Sequence, residues 1–550
     1  MEKRYVIGID FGTLSGRAVL LDAKTGRECA VSELLYRHAV MDEQLPSGKR
    51  LPEQWALQHP ADYLEVLQVT IPDVLYRGGV SADEVAGLGL DFTACTLLPL
   101  DAQGTPLCLR EEYADEPHAY AKLWKHHAAQ READEITALA KTRGEAFADV
   151  FGGKFSSEWA IPKILQMLRE APELYGATAR FCEAADWLSQ VLTGEESRAA
   201  AFAGYKAFWQ AGQGYPDRAF FAALDPRLSN LIGTKIPEQV RTVDRLAGEI
   251  NAHGAALTGL PIGTPVALPM IDAHAGMPAV GAVHAGDFVM IIGTSTCHLF
   301  HGEKPVCVPG ISGFAQDAVV PGLVTFEAGQ ACVGDGFAWL VKNFVPERYE
   351  KEAKERDISV HKLLRERASA LRPGESGLLA LDWWNGNRSV LNQADLSGML
   401  LGMTLRTKPE EIYRAFLEAT AFGSRMILEQ FEKGGLPVKD IRAAGGIARK
   451  DPLMMQIYAD VLGKTIHVAD TTQAGALGSA MYAAVAGGLY PDIVAASQAL
   501  AAPCSTHYIP NAENTARYAA LYREYVTLHD YFGRGENDVM GRLLSLARRA

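Results

Sequence analysis

The sequence predicts a mixed α/β fold built twice over, as two similar domains facing a central cleft. A β-hairpin pattern opens the chain at residues 4–22, RYVIGIDFGTLSGRAVLLD, where two apolar runs flank a Gly-Thr-Leu-Ser-Gly turn. The pattern returns at 286–300, GDFVMIIGTSTCHLF, with Gly293-Thr294-Ser295-Thr296 between the runs. The two Gly-Thr steps lie about half of the 550-residue chain apart, and an echo at half length signals a duplicated architecture. Between the hairpins, strand-like stretches such as 85–90 alternate with helical periodicity at 128–141 and 162–170, the mark of a mixed α/β protein.

The later elements follow in order. Residues 409–433 carry Ile412, Phe416, Ala419 and Ile427 at helical spacing and predict a long amphipathic helix. Residues 471–491 carry no charge and approach membrane length, but Leu477, Met481, Val485 and Leu489 recur every fourth position. That is a single helical stripe, so a buried core helix is expected. The tail from 512 to 550 sets Tyr518, Leu521, Tyr525 and Leu528 on one face, predicting helices that pack on the second domain. The Gly/Ala-rich stretch 275–287 marks the boundary, giving domains at 1–283 and 284–550.

Composition narrows the function classes. Hydrophobic residues make up 48% of the chain and charged residues 22%, ordinary for a soluble globular protein with well-formed cores. The net charge is −13 and no Lys/Arg block stands out, which argues against nucleic acid or anionic membrane as a partner. The eight cysteines are scattered without a C-x-x-C pair and read as free thiols in a reducing compartment. Met1-Glu2-Lys3-Arg4-Tyr5 runs into the first strand with no apolar signal segment, so the cytoplasm is the expected location.

Chemistry concentrates at three turns. Asp10 ends a strand, and Gly12, Thr13, Ser15, Gly16 and Arg17 follow at once. Such a turn offers close-approaching backbone N–H groups, hydroxyls and a guanidinium to a phosphate, and Asp10 is placed to hold Mg²⁺. An ordinary hairpin turn with a surface arginine is the alternative. Gly293, Thr294 and Ser295 repeat the device without the carboxylate, so that two walls could clamp a polyphosphate. Gly445-Gly446, at a strand end before a helix, could take a planar base or ribose, or be a plain turn. Asp272, in PMIDAHA, is either a general base for a hydroxyl or a helix N-cap. His274 and His298 read as structural histidines. No Walker-type loop and no G-x-G-x-x-G after a strand occurs, which disfavours P-loop and Rossmann readings.

Taken together, DFGTLSGR (10–17), IDAHAG (271–276), IGTSTC (292–297), residues 398–423 and AAGGIARKDPLMMQIYADV (443–461) resemble the FGGY carbohydrate kinases, two-domain enzymes of the actin-like (ribonuclease H-like) ATPase superfamily. The likeness extends from Tyr5 to about Ala501. GLDFTACT (89–96), HAYAKLWKHHAAQ (118–130), GGKFSSEWAIPKILQ (152–166), FEAGQACVGDGFAW (326–339) and ALDWWNGNR (380–388) are most similar to the members that act on L-ribulose. The resemblance implies ATP and Mg²⁺ as cofactors and phosphorylation of L-ribulose at its terminal hydroxyl, with D-ribulose or xylulose as the alternative sugars. A more distant alternative is an actin-like ATPase without a sugar substrate. It further implies Asp272 as catalytic base, Ala94, Lys206, Asp272 and Glu327 as the sugar site, and Asp10 with residues 12–17 and 293–295 as the Mg²⁺ and phosphate sites. Gly445 and Gly446 match the adenosine site, and a homodimer or other homo-oligomer is expected. One departure is Asp451, where many relatives carry Asn, an acid placed beside the expected nucleotide.

Overall fold

The computed structural model describes residues 3–547. Its frame is a pair of seven-stranded sheets, one from each half of the chain. The first contains β1 (Tyr5–Phe11), β2 (Ser15–Asp22), β3 (Arg27–Leu35), β4 (Val85–Phe92), β5 (Leu246–Glu249), β6 (Pro265–Ala267) and β7 (Met270–Ile271). Their order is β3-β2-β1-β4-β6-β5, with β7 paired to β4. The second contains β8 (Asp287–Ile292), β9 (Thr296–Gly302), β10 (Gly313–Gln316), β11 (Val324–Gln330), β12 (Asp440–Ala444), β13 (Ile466–Val468) and β14 (Thr506–Tyr508), in the order β10-β11-β9-β8-β12-β13-β14.

The two sheets share a plan. Each begins with an antiparallel hairpin, β1–β2 or β8–β9, whose first strand pairs in parallel with a later strand, β4 or β12. The half-length echo in the sequence is therefore a repeated topology. All eight residues of β4, VAGLGLDF, are buried, as expected for a parallel strand covered on both faces.

The helices that position the site are α1 (Pro60–Gly78), α2 (Ala160–Glu170), α3 (Ala200–Lys206), α4 (Asp272–Ala279), α5 (Gly334–Phe344), α6 (Pro409–Lys433), α7 (Gly446–Lys450), α8 (Pro452–Leu462), α9 (Ala474–Ala486) and α10 (Ala512–Gly533). Helix α6 has the bounds its periodicity predicts, while the helix expected at 128–141 runs Gln130–Arg143 and α2 begins two residues before the expected 162. Pro409 at its first position and Lys433 in its last turn suit the two ends of α6. A smaller four-stranded sheet takes residues 57–58 from between β3 and β4 in the chain, and 97–100, 121–122 and 180–183 from between β4 and β5.

The uncharged stretch at 471–491 forms the buried helix α9, but it packs on β1 and β4 of the first sheet. Glycines allow backbone-to-backbone approach there. A Cβ on Gly8 would fall 1.9 Å from the carbonyl oxygen of Ala476, and one on Gly89 2.0 Å from that of Ser479. On α9 itself, a Cβ on Gly478 would fall 1.7 Å from the carbonyl oxygen of Ala275 in α4. Helix α10 packs on the second half of the chain as expected, with Tyr525 donating to Asp382 Oδ1 at 2.7 Å. Among the described residues no helix is long and apolar enough to cross a membrane.

Candidate active site

Three carboxylates converge at the carboxyl ends of neighbouring strands. Asp10 on β1 lies in register with Asp91 on β4, and β7, which pairs with the end of β4, delivers Asp272 as the first residue of α4. Asp272 is not the N-cap of that helix; Ile271 holds that position, and the Asp272 carboxylate takes the N–H of Ala273 at 2.6 Å. Ser479 Oγ of α9 donates to Asp91 Oδ2 at 2.6 Å, whereas Asp91 Oδ1 is buried without a partner. Gly475 leaves the space above them open, since a Cβ there would lie 3.0 Å from Asp91 Oδ1 and 3.4 Å from Asp10 Cγ.

Crowding like charges in a buried corner raises their proton affinity. Burial lifts the Asp10 carboxyl above its ordinary value, offset in part by its hydrogen bond with Asp91 and by Arg17. Burial and then the Asp10 charge push Asp91 well up. Asp272 is raised to about 7, again by burial first and Asp10 second. An orphaned carboxylate oxygen beside a second carboxylate is an all-oxygen donor set, which suits a hard divalent cation.

The first turn closes with the Gly12 N–H donating to the Ser15 carbonyl at 2.9 Å, and the second closes alike from Gly293 to Ser295 at 2.9 Å. Thr13 is pinned twice: its carbonyl accepts from Gln58 Nε2 at 2.8 Å and its Oγ1 from Trp124 Nε1 at 3.2 Å. Ser15 Oγ and Arg17 Nη2 both donate to Glu33 Oε1, at 2.8 and 2.6 Å, and Arg17 Nη1 donates to Gln473 Oε1 at 2.8 Å. The second turn is fastened to α5, with Val333 N–H on the Thr294 carbonyl at 2.8 Å and Gly334 N–H on that of Gly293 at 3.1 Å. Gly445 lies against the same wall. Its φ is +104°, and a Cβ would fall 2.3 Å from the Ile292 carbonyl oxygen, so glycine alone fits. Residues 293–295 and 445–446 are thereby brought together. Asp451 caps α8 by accepting the Met454 N–H at 2.9 Å, and it pairs with Arg365 at 3.4 Å. Its charge is spent on its own helix.

Beyond Asp272 lies an ion pair across the cleft. Lys206, at the end of α3, donates from Nζ to Glu327 Oε1 and Oε2 on β11 at 2.8 and 3.0 Å. Burial alone would lower the lysine, but Glu327 outweighs it and holds the ammonium above its ordinary value. Glu327 stays below its own ordinary value because Lys206 overcomes the burial that would raise it. His274 stands 3.7 Å from Glu327 and is held neutral, its pKa lowered to about 4 by burial. Ala94 sits in the turn after β4, where Cys95 has a φ of +62° and the buried Lys163 Nζ donates to the Cys95 carbonyl at 2.6 Å. His298 is a core histidine against Ser424 Oγ at 3.0 Å.

Comparison with known proteins shows the family. The N-terminal domain of the FGGY family of carbohydrate kinases matches residues 5–278, and the C-terminal domain of that family matches 288–487. The chain belongs to the FGGY carbohydrate kinases. It is 51% identical over 538 residues to the ribulokinase of Bacillus licheniformis, covering 97% of each chain, and 48% identical over 542 residues to that of Mycolicibacterium smegmatis, covering 98% of this chain and 96% of the relative. Among solved structures, the xylulose kinase of Rhodospirillum rubrum superimposes with a TM-score of 0.79 at 23% identity, covering 96% of this kinase and 98% of that chain. Plasmodium falciparum glycerol kinase with ADP gives 0.75 at 16% identity, with the same coverage.

Sequence reasoning passed over two parts of this site. Asp91 carried a readable signal, since β1 ends Ile-Asp-Phe and β4 ends Leu-Asp-Phe, and the two phenylalanines stack with ring centroids 5.0 Å apart. Glu158 and Arg388, an ion pair at 3.4 Å between the two halves of the chain, lie in the segments 152–166 and 380–388 that carry the family likeness, but no local pattern marks either residue, because both segments are irregular there and only the tertiary fold brings them together. Away from the carboxylate cluster, His38, His59 and Asp62 come within ligand reach of one another. There His59 Nδ1 accepts the Ala61 N–H at 3.3 Å, leaving Nε2 protonated on the neutral ring, while His38 Nδ1 meets Asp62 at 2.7 Å. The two rings stack at 4.2 Å as a helix cap, not a chelate.

Proposed function

We propose that this kinase transfers the γ-phosphoryl group of ATP to the terminal hydroxyl of L-ribulose, giving L-ribulose 5-phosphate in L-arabinose degradation. The observation that carries the reading is the position of Asp272, a carboxylate poised near neutral pH between the Asp10–Asp91 pair and the Lys206–Glu327 pair. The ribulokinase relatives, about half identical over almost their whole length, support the choice of sugar.

In this reading Asp272 accepts the proton of the attacking hydroxyl as the O–P bond forms. Lys206 donates to one sugar oxygen and Glu327 accepts from another, fixing the acceptor in line, while the small side chain of Ala94 leaves room for the carbon chain. Within residues 12–17 and 293–295, where Gly12 and Gly293 use their own N–H groups to close the turns, the N–H groups of Thr13, Leu14 and Thr294 and the hydroxyls of Thr13 and Thr294 are offered to the phosphates, and Gly445 and Gly446 leave a flat surface for the adenosine. Asp10 and Asp91 would hold Mg²⁺, which when bound supplies neutralising charge to the polyphosphate. Arg17, already shared between Glu33 and Gln473, tempers the negative potential beside Asp10. Closure of the two halves would exclude water as a competing acceptor. A cytoplasmic homodimer or other homo-oligomer completes the reading, and sedimentation velocity tests the assembly.

The test is ADP release from Mg-ATP with L-ribulose, D-ribulose, D-xylulose, L-xylulose and glycerol. L-ribulose gives the highest kcat/KM. A preference for D-ribulose or xylulose moves the reading to that sugar, and fast release without any sugar replaces it with an ATPase.

Two further outcomes follow. Because the base must be ionised, kcat/KM for the sugar falls about tenfold per pH unit below about 7, and a profile flat from pH 5.5 to 8 removes Asp272 as the titrating group. Asp91→Asn raises the Mg²⁺ concentration for half-maximal rate by about 10- to 100-fold. The same change raises the stability of the metal-free protein at pH 8. Folding raises the proton affinity of Asp91, so the wild type loses stability as pH climbs past the ordinary carboxyl value, and asparagine removes that loss. Urea unfolding in chelator, beside the Mg²⁺ titration, checks both.

A further inference from the structure

Glu327 and Gly329 stand two residues apart on β11 and so share one face of the strand. Lys206 reaches Glu327 from α3 at 2.8 Å, and the stem of Arg388 lies over Gly329, where a Cβ would come 3.2 Å from Arg388 Cδ. Arg388–Glu158 is therefore the next charged pair along that face from Lys206–Glu327. The phosphoryl-accepting end of the sugar belongs at Asp272, which leaves its other end at Arg388 and Glu158.

The fold prepares that place. The loop carrying Arg388 is pinned to β11, where Ser389 Oγ accepts the Gly329 N–H at 3.2 Å and meets Ser312 Oγ at 3.2 Å. Gly329 clears the path for the arginine, since a Cβ there would lie 3.2 Å from Arg388 Cδ and 3.0 Å from the Thr296 carbonyl oxygen. The arginine stem can therefore lie flat on the strand. From the opposite side comes the segment before α2, which brings Glu158 and also sends Lys154 Nζ to the Asn392 carbonyl at 3.0 Å. Among the described residues, Arg388 makes one side-chain hydrogen bond, to Glu158 Oε1, and at 3.4 Å it is long. A guanidinium has five donors in a planar fork, so most of its capacity is uncommitted. Its side chain keeps 30% of its surface open and that of Glu158 keeps 18%. Two charges meeting at long range with free donors form a weak latch.

We propose that Arg388 and Glu158 are sugar-binding residues that take the carbonyl end of the ketose, the guanidinium donating to the C2 carbonyl and O1 while the carboxylate accepts the O1 proton. The inference rests on the pentulose-kinase reading above. It assigns to Arg388 the distinction between a ketose and the matching polyol, because a guanidinium donates but cannot accept, and a carbonyl oxygen is an acceptor only.

The experiment compares wild type, Arg388→Met, Arg388→Lys and Glu158→Gln on the best pentulose and on its reduced polyol, with separate titrations of sugar and ATP. Arg388→Met raises the sugar KM by about 10- to 100-fold, as loss of a charge-assisted hydrogen bond requires, while the ATP KM stays within twofold. The ketose-to-polyol preference falls by a similar factor, Arg388→Lys recovers part of it, and Glu158→Gln raises the sugar KM with less effect on that preference. Equal losses for ketose and polyol, or equal rises in both KM values, would reduce the pair to an interlobe latch and overturn the proposal. A sugar KM unchanged in both Arg388→Met and Glu158→Gln overturns it as well. Glu158→Gln preserves shape and polarity, so it remains readable if the arginine variants fail to fold. If wild type phosphorylates no pentulose, the functional reading fails; if it does and the variants bind the sugar normally, this inference fails alone.

Discussion

Asp272→Asn lowers kcat by about 10²- to 10⁴-fold, the range contributed by a positioned general base, while ATP still binds within twofold of wild type. Asparagine keeps the shape and the contact with the Ala273 N–H but cannot take the hydroxyl proton. The sugar KM changes little, because Lys206 and Glu327 remain paired at 2.8 Å. Rapid-quench turnover with isothermal titration of ATP measures both quantities, and loss of ATP binding would sink the assignment of Asp272 as base. A second readout separates catalysis from folding. Folding raises the Asp272 pKa to about 7, so the ionised form is disfavoured in the native protein. The wild type therefore loses stability as pH rises from the ordinary carboxyl value through 7, and Asp272→Asn, lacking that loss, is the more stable protein at pH 8. The difference is on the order of 1–2 kcal/mol once solvent in the cleft screens part of the shift. A variant that is both inactive and less stable at pH 8 points to a structural role.

What was legible in the sequence was what local pattern encodes. The two hairpins announce themselves by alternation and by Gly-Thr turns, and α6 by its spacing and its proline start. Asp10 and Asp272 each stand at the end of an apolar strand, so their residue type and position already suggest a site. The proposed sugar set of Ala94, Lys206 and Glu327 is accessible only through family resemblance, because no spacing rule links a turn, a short helix end and a strand more than a hundred residues away. Asp91 shared the Asp-Phe ending of β1 and went unread because a buried aspartate has meaning only beside its neighbour. The partners of Ser15 and Arg17 were equally hidden. Their shared acceptor, Glu33, lies on β3, and only the pairing of β2 with β3 puts it there. Asp451 reversed its apparent sense, since an acid near a nucleotide looks unfavourable until its helix is seen to use it as a cap.

Gly478→Ala destabilises the kinase by about 3 kcal/mol or more and lowers its activity together with its stability. The added methyl would lie 1.7 Å from the carbonyl oxygen of Ala275, a backbone atom that no rotamer change can move aside. Helix α9 must therefore shift off α4, and it carries Ser479, which holds Asp91, and Gly475, which leaves room above Asp10 and Asp91. The same contact thus supports the packing of the two halves and the geometry of the carboxylates. Gly176→Ala is the matched control. It lies in a short helix where a Cβ meets nothing within 4 Å, and alanine is the better helix former there. Urea midpoints read beside Mg²⁺-dependent kcat separate the two variants, with Gly176→Ala unchanged or slightly stabilised and fully active. A Gly478→Ala protein of normal midpoint would mean that α9 and α4 have slack between them, and Asp91 would then owe its position to β4 alone.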